Sequence, residues 1–170
     1  QIQEKPKGIA DSLIISKKFT KSKKICLILG DNVFYGSRLI KKLAKVSRSN
    51  KNSIITYAVK NPKEYGILEL DKKNKPKNIV EKPKSPKSNL AVTGLYFYEN
   101  EVVKIAEKLK PSKRNELEIT DLNLSLLRKN KLKYIHLDRG NAWLDAGTVD
   151  NYIEASTVIS IMEKRQGLNI

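Results

Sequence analysis

The sequence predicts an α/β fold with a mixed sheet, and three observations carry that expectation. First, an apolar run at 25–29, an amphipathic stretch at 36–46 and a β-rich run at 53–59 follow one another through short polar connections. That is the pattern of a βαβ unit, which implies parallel pairing. Second, 65–81 is punctuated like a hairpin or meander, with Pro76 inside it and Pro83 and Pro86 just beyond. Third, strand-like and helical segments alternate from 90 to 167.

In chain order, 9–19 sets Ile9, Leu13, Ile14 and Phe19 in a short helical pattern, and 21–24 is a polar turn. The run 25–29 has the length of a buried strand, in which Cys26 is expected as a reduced thiol filling the core. Leu39, Ile40, Leu43 and Val46 share one helical face. Ile54, Ile55, Tyr57 and Val59 are strand formers. Residues 65–70 and 78–81 are the arms of a hairpin around the turn 71–75. A long strand follows at 90–98, and Gly94 within it marks a bulge or a ligand touching the main chain. Val102, Val103, Ala106 and Leu109 give a helix over 100–109, with Pro111 just past its end. Thr120 is expected to cap a helix over 121–129, 132–137 is a strand, and Thr148 caps a final helix that Gly167 stops. His136, flanked by Ile135 and Leu137, points away from their face and toward solvent.

A chain of 170 residues is long enough for one core and reads as one domain, 1–170. No run reaches the ~18 apolar residues of a membrane span, and the amino-terminal segment has no signal-peptide pattern. One cysteine makes no internal disulfide, and one cysteine with one histidine makes no zinc site. These features predict a cytoplasmic protein. The formal charge of +16 raises the question of nucleic acid. However, the basic residues are mostly dispersed lysines, arginine is scarce, and aromatic residues are not interleaved with the basic runs. A solvated surface that attracts small anions is the better reading.

Two acids stand out. Gly30-Asp31-Asn32 follows the apolar strand directly, which puts a carboxylate at the carboxyl edge of the sheet, where α/β proteins bind ligands. Asp145 lies in Ala142-Trp143-Leu144-Asp145-Ala146-Gly147-Thr148. Each alone reads better as a turn or loop residue; together they suggest a magnesium site, since Mg²⁺ takes one or two carboxylates and shares its other positions with water and phosphate. Glu81-Lys82-Pro83 offers a point charge for phosphate and an acceptor for hydroxyls, or else a solvated turn. Arg114 is a further phosphate candidate in a polar loop, and Tyr65-Gly66 leads into a strand where backbone can approach a ligand.

Several ordered segments resemble the glucose-1-phosphate thymidylyltransferase family of sugar-phosphate nucleotidyltransferases. They are Leu29-Gly30-Asp31-Asn32-Val33-Phe34-Tyr35-Gly36, Glu64-Tyr65-Gly66, Glu81-Lys82-Pro83, Ala91-Val92-Thr93-Gly94-Leu95-Tyr96-Phe97-Tyr98, Glu116-Leu117-Glu118-Ile119-Thr120-Asp121 and Ala142-Trp143-Leu144-Asp145, with Glu163-Lys164-Arg165-Gln166-Gly167-Leu168 at the end. The resemblance implies a Rossmann-like three-layer α/β/α nucleotidyltransferase fold with a mixed, mostly parallel central sheet. By it, Asp31 and Asp145 are the Mg²⁺ ligands. Gln3 and Gly8, within Gln3-Glu4-Lys5-Pro6-Lys7-Gly8, match the thymine-reading positions. Tyr65, Gly66, Glu81, Lys82 and Val92 match the glucose 1-phosphate pocket, with Lys82 on the phosphate, and Arg114 matches a phosphate contact. The implied reaction joins dTTP and glucose 1-phosphate into dTDP-glucose and pyrophosphate, in the dTDP-rhamnose pathway, within a homo-oligomer that is a tetramer in the family.

The family's opening glycine-rich loop, with its Arg and Lys, has no counterpart in this sequence. Asp11-Ser12 stands where a Gln-Ala pair is common. The expectation is a chain truncated at the N-terminus, which keeps the sugar-phosphate and metal side, lacks the triphosphate loop, and is weak or inactive alone. The alternatives are a non-catalytic sugar-phosphate-binding remnant and, further off, a basic nucleic-acid-binding module.

Overall fold

The longest strand, nine residues from Leu90 to Tyr98, is the spine of the molecule. The computed structural model describes residues 2–3, 5–21 and 23–167; Glu4 and Leu168, which belong to two of the segments above, lie outside the described residues. In chain order the elements are α1 (Asp11–Ile15), α2 (Lys17–Thr20), β1 (Ile25–Ile28), β2 (Asn32–Gly36), α3 (Leu39–Arg48) and β3 (Asn52–Ala58). Then come β4 (Gly66–Leu70), β5 (Pro76–Glu81), β6 (Leu90–Tyr98), α4 (Val102–Ala106), α5 (Ile119–Arg128), β7 (Leu132–Leu137), β8 (Asn141–Asp145) and α6 (Val149–Gln166).

The main sheet runs β5-β4-β6-β3-β7, and β1 pairs with the carboxyl half of β6. It is mixed, as the sequence predicts, but it is not mostly parallel: among the described strands only β3 and β7 pair in parallel, and every other pairing is antiparallel. The unit β1–α3–β3 explains the difference. Both of its strands run antiparallel to β6, so they share a direction, but they flank β6 rather than touch. Periodicity identifies a crossover helix and cannot reveal a strand inserted later between the two it joins.

Strand alternation divides the core into two faces. On one, Ile54, Tyr96 and Tyr98 meet Leu13 of α1, Val102 and Ala106 of α4, and Leu122 and Leu126 of α5. On the other, Ile55, Leu95, Phe97 and Leu137 meet Leu39 and Val46 of α3. Helices therefore cover both sides of the sheet, giving three layers. A buried polar pair locks the first face: the Tyr98 hydroxyl donates to Asn123 Oδ1 at 2.7 Å, and burial raises the Tyr98 pKa well above its ordinary value.

The hairpin β4–β5 forms as expected, and in its turn Asp71 Oδ1 accepts from the backbone N–H of Lys73 and of Lys75, both at 2.8 Å. β6 bulges at 93–95, opposite the single Ile55 of β3, and there the Thr93 hydroxyl donates to the Ile55 carbonyl. Thr148 caps α6 by accepting from the Asn151 N–H, and Gly167 ends that helix at φ +66°. His136 is exposed. Elsewhere the structure corrects the sequence. The stretch 9–19 breaks into two short helices, and the helix expected over 100–109 is regular only in α4. Cys26 is exposed rather than a core filler, because it falls on the open side of β1 between the buried Ile25 and the half-buried Leu27. The strands β2 and β8 were not expected; they form a separate two-stranded ribbon. No helix among the described residues is long and apolar enough to cross a membrane.

Candidate active site

The ribbon β2–β8 brings the two acids together. Antiparallel pairing sets Asn32 opposite Asp145, and the Ala146 N–H donates to the Asp31 carbonyl at 2.7 Å. Main chain thus ties the segment after β1 to the segment after β8, although more than a hundred residues separate them. The side chains then converge. A Cβ built on Gly147 would lie 3.1 Å from Asp145 Oδ1 and 3.2 Å from Asp31 Oδ2, so one oxygen of each carboxylate borders the same gap. Glycine leaves that gap open. Asp31 is exposed and Asp145 half-buried, and Asp145 Oδ1 also accepts from the Gly147 N–H at 3.0 Å. Two carboxylates around a small, solvent-reaching gap suit a hard divalent cation that takes its remaining oxygens from water or phosphate. Among the described residues no cluster of three or more Asp, Glu, His or Cys competes with this pair.

Asn32 holds the arrangement from behind. Its Oδ1 accepts from the Gly94 N–H at 2.9 Å and from Trp143 Nε1 at 2.6 Å, and its Nδ2 donates to Asp31 Oδ1 at 2.7 Å. Gly94 is required by this approach, because a Cβ there would sit 2.7 Å from Asn32 Oδ1 and 2.8 Å from Leu29 Cδ1.

The residues matched to a sugar-phosphate pocket gather beside the pair. Gly66 faces Glu81 across β4–β5, and a Cβ on Gly66 would come within 3.0 Å of Glu81 Oε2. The Thr120 hydroxyl donates to that same oxygen at 2.8 Å. Thr120 is therefore not the expected cap: α5 begins at Ile119 with Glu118 in the cap position, and Thr120, in the first turn, steadies Glu81 instead. Lys82, exposed at φ +43°, donates its N–H to the Tyr65 carbonyl. Tyr65 packs edge-on against Trp143, with centroids 5.1 Å apart, and burial together with the nearby Asp145 charge raises its pKa. Burial also raises the Tyr96 pKa, helped by the charges of Glu81 and Asp31. Glu81 and Asp31 therefore both act on Tyr96. Val92, two residues before Gly94 in β6, is half-buried.

Gln3 and Gly8, the candidates for the base, form a second cluster, and Arg114 lies on the loop beside it. Gly8, at φ +93°, presses on Leu117: the Leu117 N–H donates to the Lys7 carbonyl and the Ala10 N–H donates to the Leu117 carbonyl. A Cβ on Gly8 would lie 2.5 Å from the Leu117 carbonyl oxygen, so only glycine fits. Gln3 Nε2 donates to Asp11 Oδ2 at 2.7 Å, and also reaches the Gly8 carbonyl at 3.4 Å. Arg114 does not stand open: its guanidinium donates to both oxygens of Glu118 at 2.9–3.2 Å, and Glu118 with Glu116 raises its pKa. The loop 112–118 thus runs from the Gln3–Gly8 cluster to the Glu81 cluster.

The sequence alone assigns Asn32, Gly147 and Thr120 no role at the site, and it offers Gly94 as a bulge or a ligand contact rather than as the seat of the Asn32 amide. A glycine two residues after an acid was a usable signal for the gap. Nothing local announces that Asn32 meets Trp143, 111 positions away.

The chain is similar to known proteins along nearly its whole length. The model of the nucleotidyl transferase family matches residues 1–160. A glucose-1-phosphate thymidylyltransferase of Neisseria meningitidis is 41% identical over 170 residues, covering 99% of this chain and 59% of that protein. One from Xanthomonas campestris is 43% identical over 170 residues, covering 99% of this chain and 58% of its own. The chain thus spans less than three fifths of the length of these relatives. A crystal structure assigned to a glucose-1-phosphate thymidylyltransferase of Bacillus anthracis, in complex with sucrose, superposes with a TM-score of 0.81 at 34% identity, covering 93% of this chain and 63% of the other.

Proposed function

The chain belongs to the nucleotidyl transferase family, and from that premise we propose that it forms the sugar-phosphate and metal side of an enzyme that transfers a thymidylyl group from dTTP to glucose 1-phosphate. The products are dTDP-glucose and pyrophosphate. The observation that carries this reading is the convergence of Asp31 and Asp145 on the gap beside Gly147, next to the cluster of Gly66, Glu81 and Thr120.

Asp31 and Asp145 would hold Mg²⁺, whose chemistry is to neutralise phosphate oxygens and align the reacting groups. Tyr65, Gly66, Glu81 and Val92 form the sugar pocket: Glu81, fixed by Thr120, accepts from sugar hydroxyls, and Gly66 lets the ring approach main chain. Lys82 puts a point charge on the sugar phosphate. Gln3 and Gly8 face the base, with Gly8 keeping the strap against Leu117 close enough for a flat ring. Arg114 steadies Glu118 and reaches phosphate only by sharing its fork. The bond forms between an oxygen of glucose 1-phosphate and the α-phosphorus of dTTP, and the bond to the leaving pyrophosphate breaks. No protein nucleophile is needed; positioning and charge neutralisation supply the rate. The positive field of the chain draws in both anionic substrates.

Calorimetric titration with glucose 1-phosphate in the presence of Mg²⁺, run beside a pyrophosphate-release assay with dTTP, tests the reading. Saturable binding that Glu81→Gln weakens supports it, with or without turnover. Pyrophosphate release that depends on glucose 1-phosphate completes it. No binding of glucose 1-phosphate contradicts it.

A further inference from the structure

We propose that Asn32 is the positioning residue of the acid pair: it selects which oxygen of Asp31 faces the cation, and it couples the pair to Trp143. The inference rests on the reading of Asp31 and Asp145 as ligands of one cation. Two partners of the Asn32 carboxamide, the Gly94 N–H and the Trp143 indole N–H, can only donate. Both point at one atom, which must therefore be the oxygen. The amide cannot flip without setting its NH₂ against two donors, so Nδ2 is committed to Asp31.

That commitment divides the labour within one carboxylate. Asp31 Oδ1 accepts the Asn32 amide, while Oδ2 is the oxygen bordering the gap shared with Asp145 Oδ1. A carboxylate free to spin would offer either oxygen; one pinned at Oδ1 presents Oδ2 in a fixed direction. The donor is neutral, so it orients Asp31 without opposing a cation by charge. Outer-shell partners of this kind typically change metal affinity by about 10–100-fold when removed. The clamp also supplies its own readout. Trp143 is the sole tryptophan of the chain, so a single indole N–H resonance reports on the far side of the same amide.

The test is a titration of the ¹⁵N-labelled chain with MgCl₂, following the Trp143 indole N–H resonance, with Mg²⁺ affinity measured in parallel by calorimetry. The expected result is a saturable indole shift that tracks binding. In Asn32→Ala, whose fold is checked by thermal unfolding, Mg²⁺ affinity falls about 10–100-fold and the residual binding no longer moves the indole. Should Asn32→Ala fail to fold, the wild-type titration still decides. Mg²⁺ binding with a stationary indole resonance overturns the role of Asn32 and leaves the acid pair standing, as does unchanged affinity in a folded Asn32→Ala. No Mg²⁺ binding by the wild-type chain overturns the acid-pair reading and this inference with it.

Discussion

The two ends of the candidate site differ in how their polar groups are engaged. At the Asp31–Asp145 end, main-chain pairing and one asparagine fix two acids while leaving an oxygen of each on an open gap. At the second end, where Gln3 lies with Gly8, and along the loop that carries Arg114, each side chain already has a carboxylate partner within the chain, Asp11 for Gln3 and Glu118 for Arg114. A ligand reaching the first end meets prepared groups. One reaching the second must exchange or share existing bonds, and such exchanges yield small net free energies. Substitutions should therefore weigh heavily at the first end and lightly at the second.

The largest effect is expected from Asp31→Asn or Asp145→Asn. Each should slow pyrophosphate release by about 100-fold or more, the scale of losing a charge-stabilising group in a transition state, with little change in thermal unfolding. Next is Gly147→Ala. Its methyl would stand between the two carboxylate oxygens, so Mg²⁺ affinity should fall measurably by calorimetry while the urea midpoint holds, since Gly147 has no left-handed φ to strain. Gly94→Ala should act on both counts: it crowds Asn32, destabilises by about 1–3 kcal/mol in urea unfolding, and weakens Mg²⁺ binding with it. Smallest is Gln3→Ala or Arg114→Ala, expected to shift dTTP or glucose 1-phosphate affinity only a few-fold, since exposed and already paired groups contribute about 1 kcal/mol or less. If Arg114→Ala rivals Asp31→Asn, the contrast between the two ends fails.

A fold control separates stability from function. Tyr98→Phe strands Asn123 inside the core and should lower stability by about 1–3 kcal/mol without altering Mg²⁺ affinity, because that pair joins β6 to α5 and touches neither acid.

Which parts of the molecule could be read from sequence follows from the range of the forces involved. The hairpin at 66–81, the Thr148 cap and the Gly167 stop are local, each set by residues within a few positions. The placement of Asp31 past the end of β1 is local too. The ribbon β2–β8 is not: its strands have five residues each, contain Asn and Gly, and exist only because distant segments meet. Without that ribbon, Asp145 looked like a loop residue before a helix cap. The same holds for Thr120, whose hydroxyl favours Glu81 across space over its own helix end, and for Cys26, whose exposure depends on which side of β1 stays uncovered. Strand order is the plainest case, since β6 separates two strands that the sequence joins as neighbours.

The most direct test counts bound cations. Mn²⁺ binding followed by electron paramagnetic resonance should give one site per wild-type chain, and Asp31→Asn and Asp145→Asn should each abolish it. Combining the two should then remove nothing further, the non-additivity expected of groups that hold one ion jointly. Either single variant retaining the wild-type site, or the two losses adding independently, would contradict the claim that these acids serve one cation.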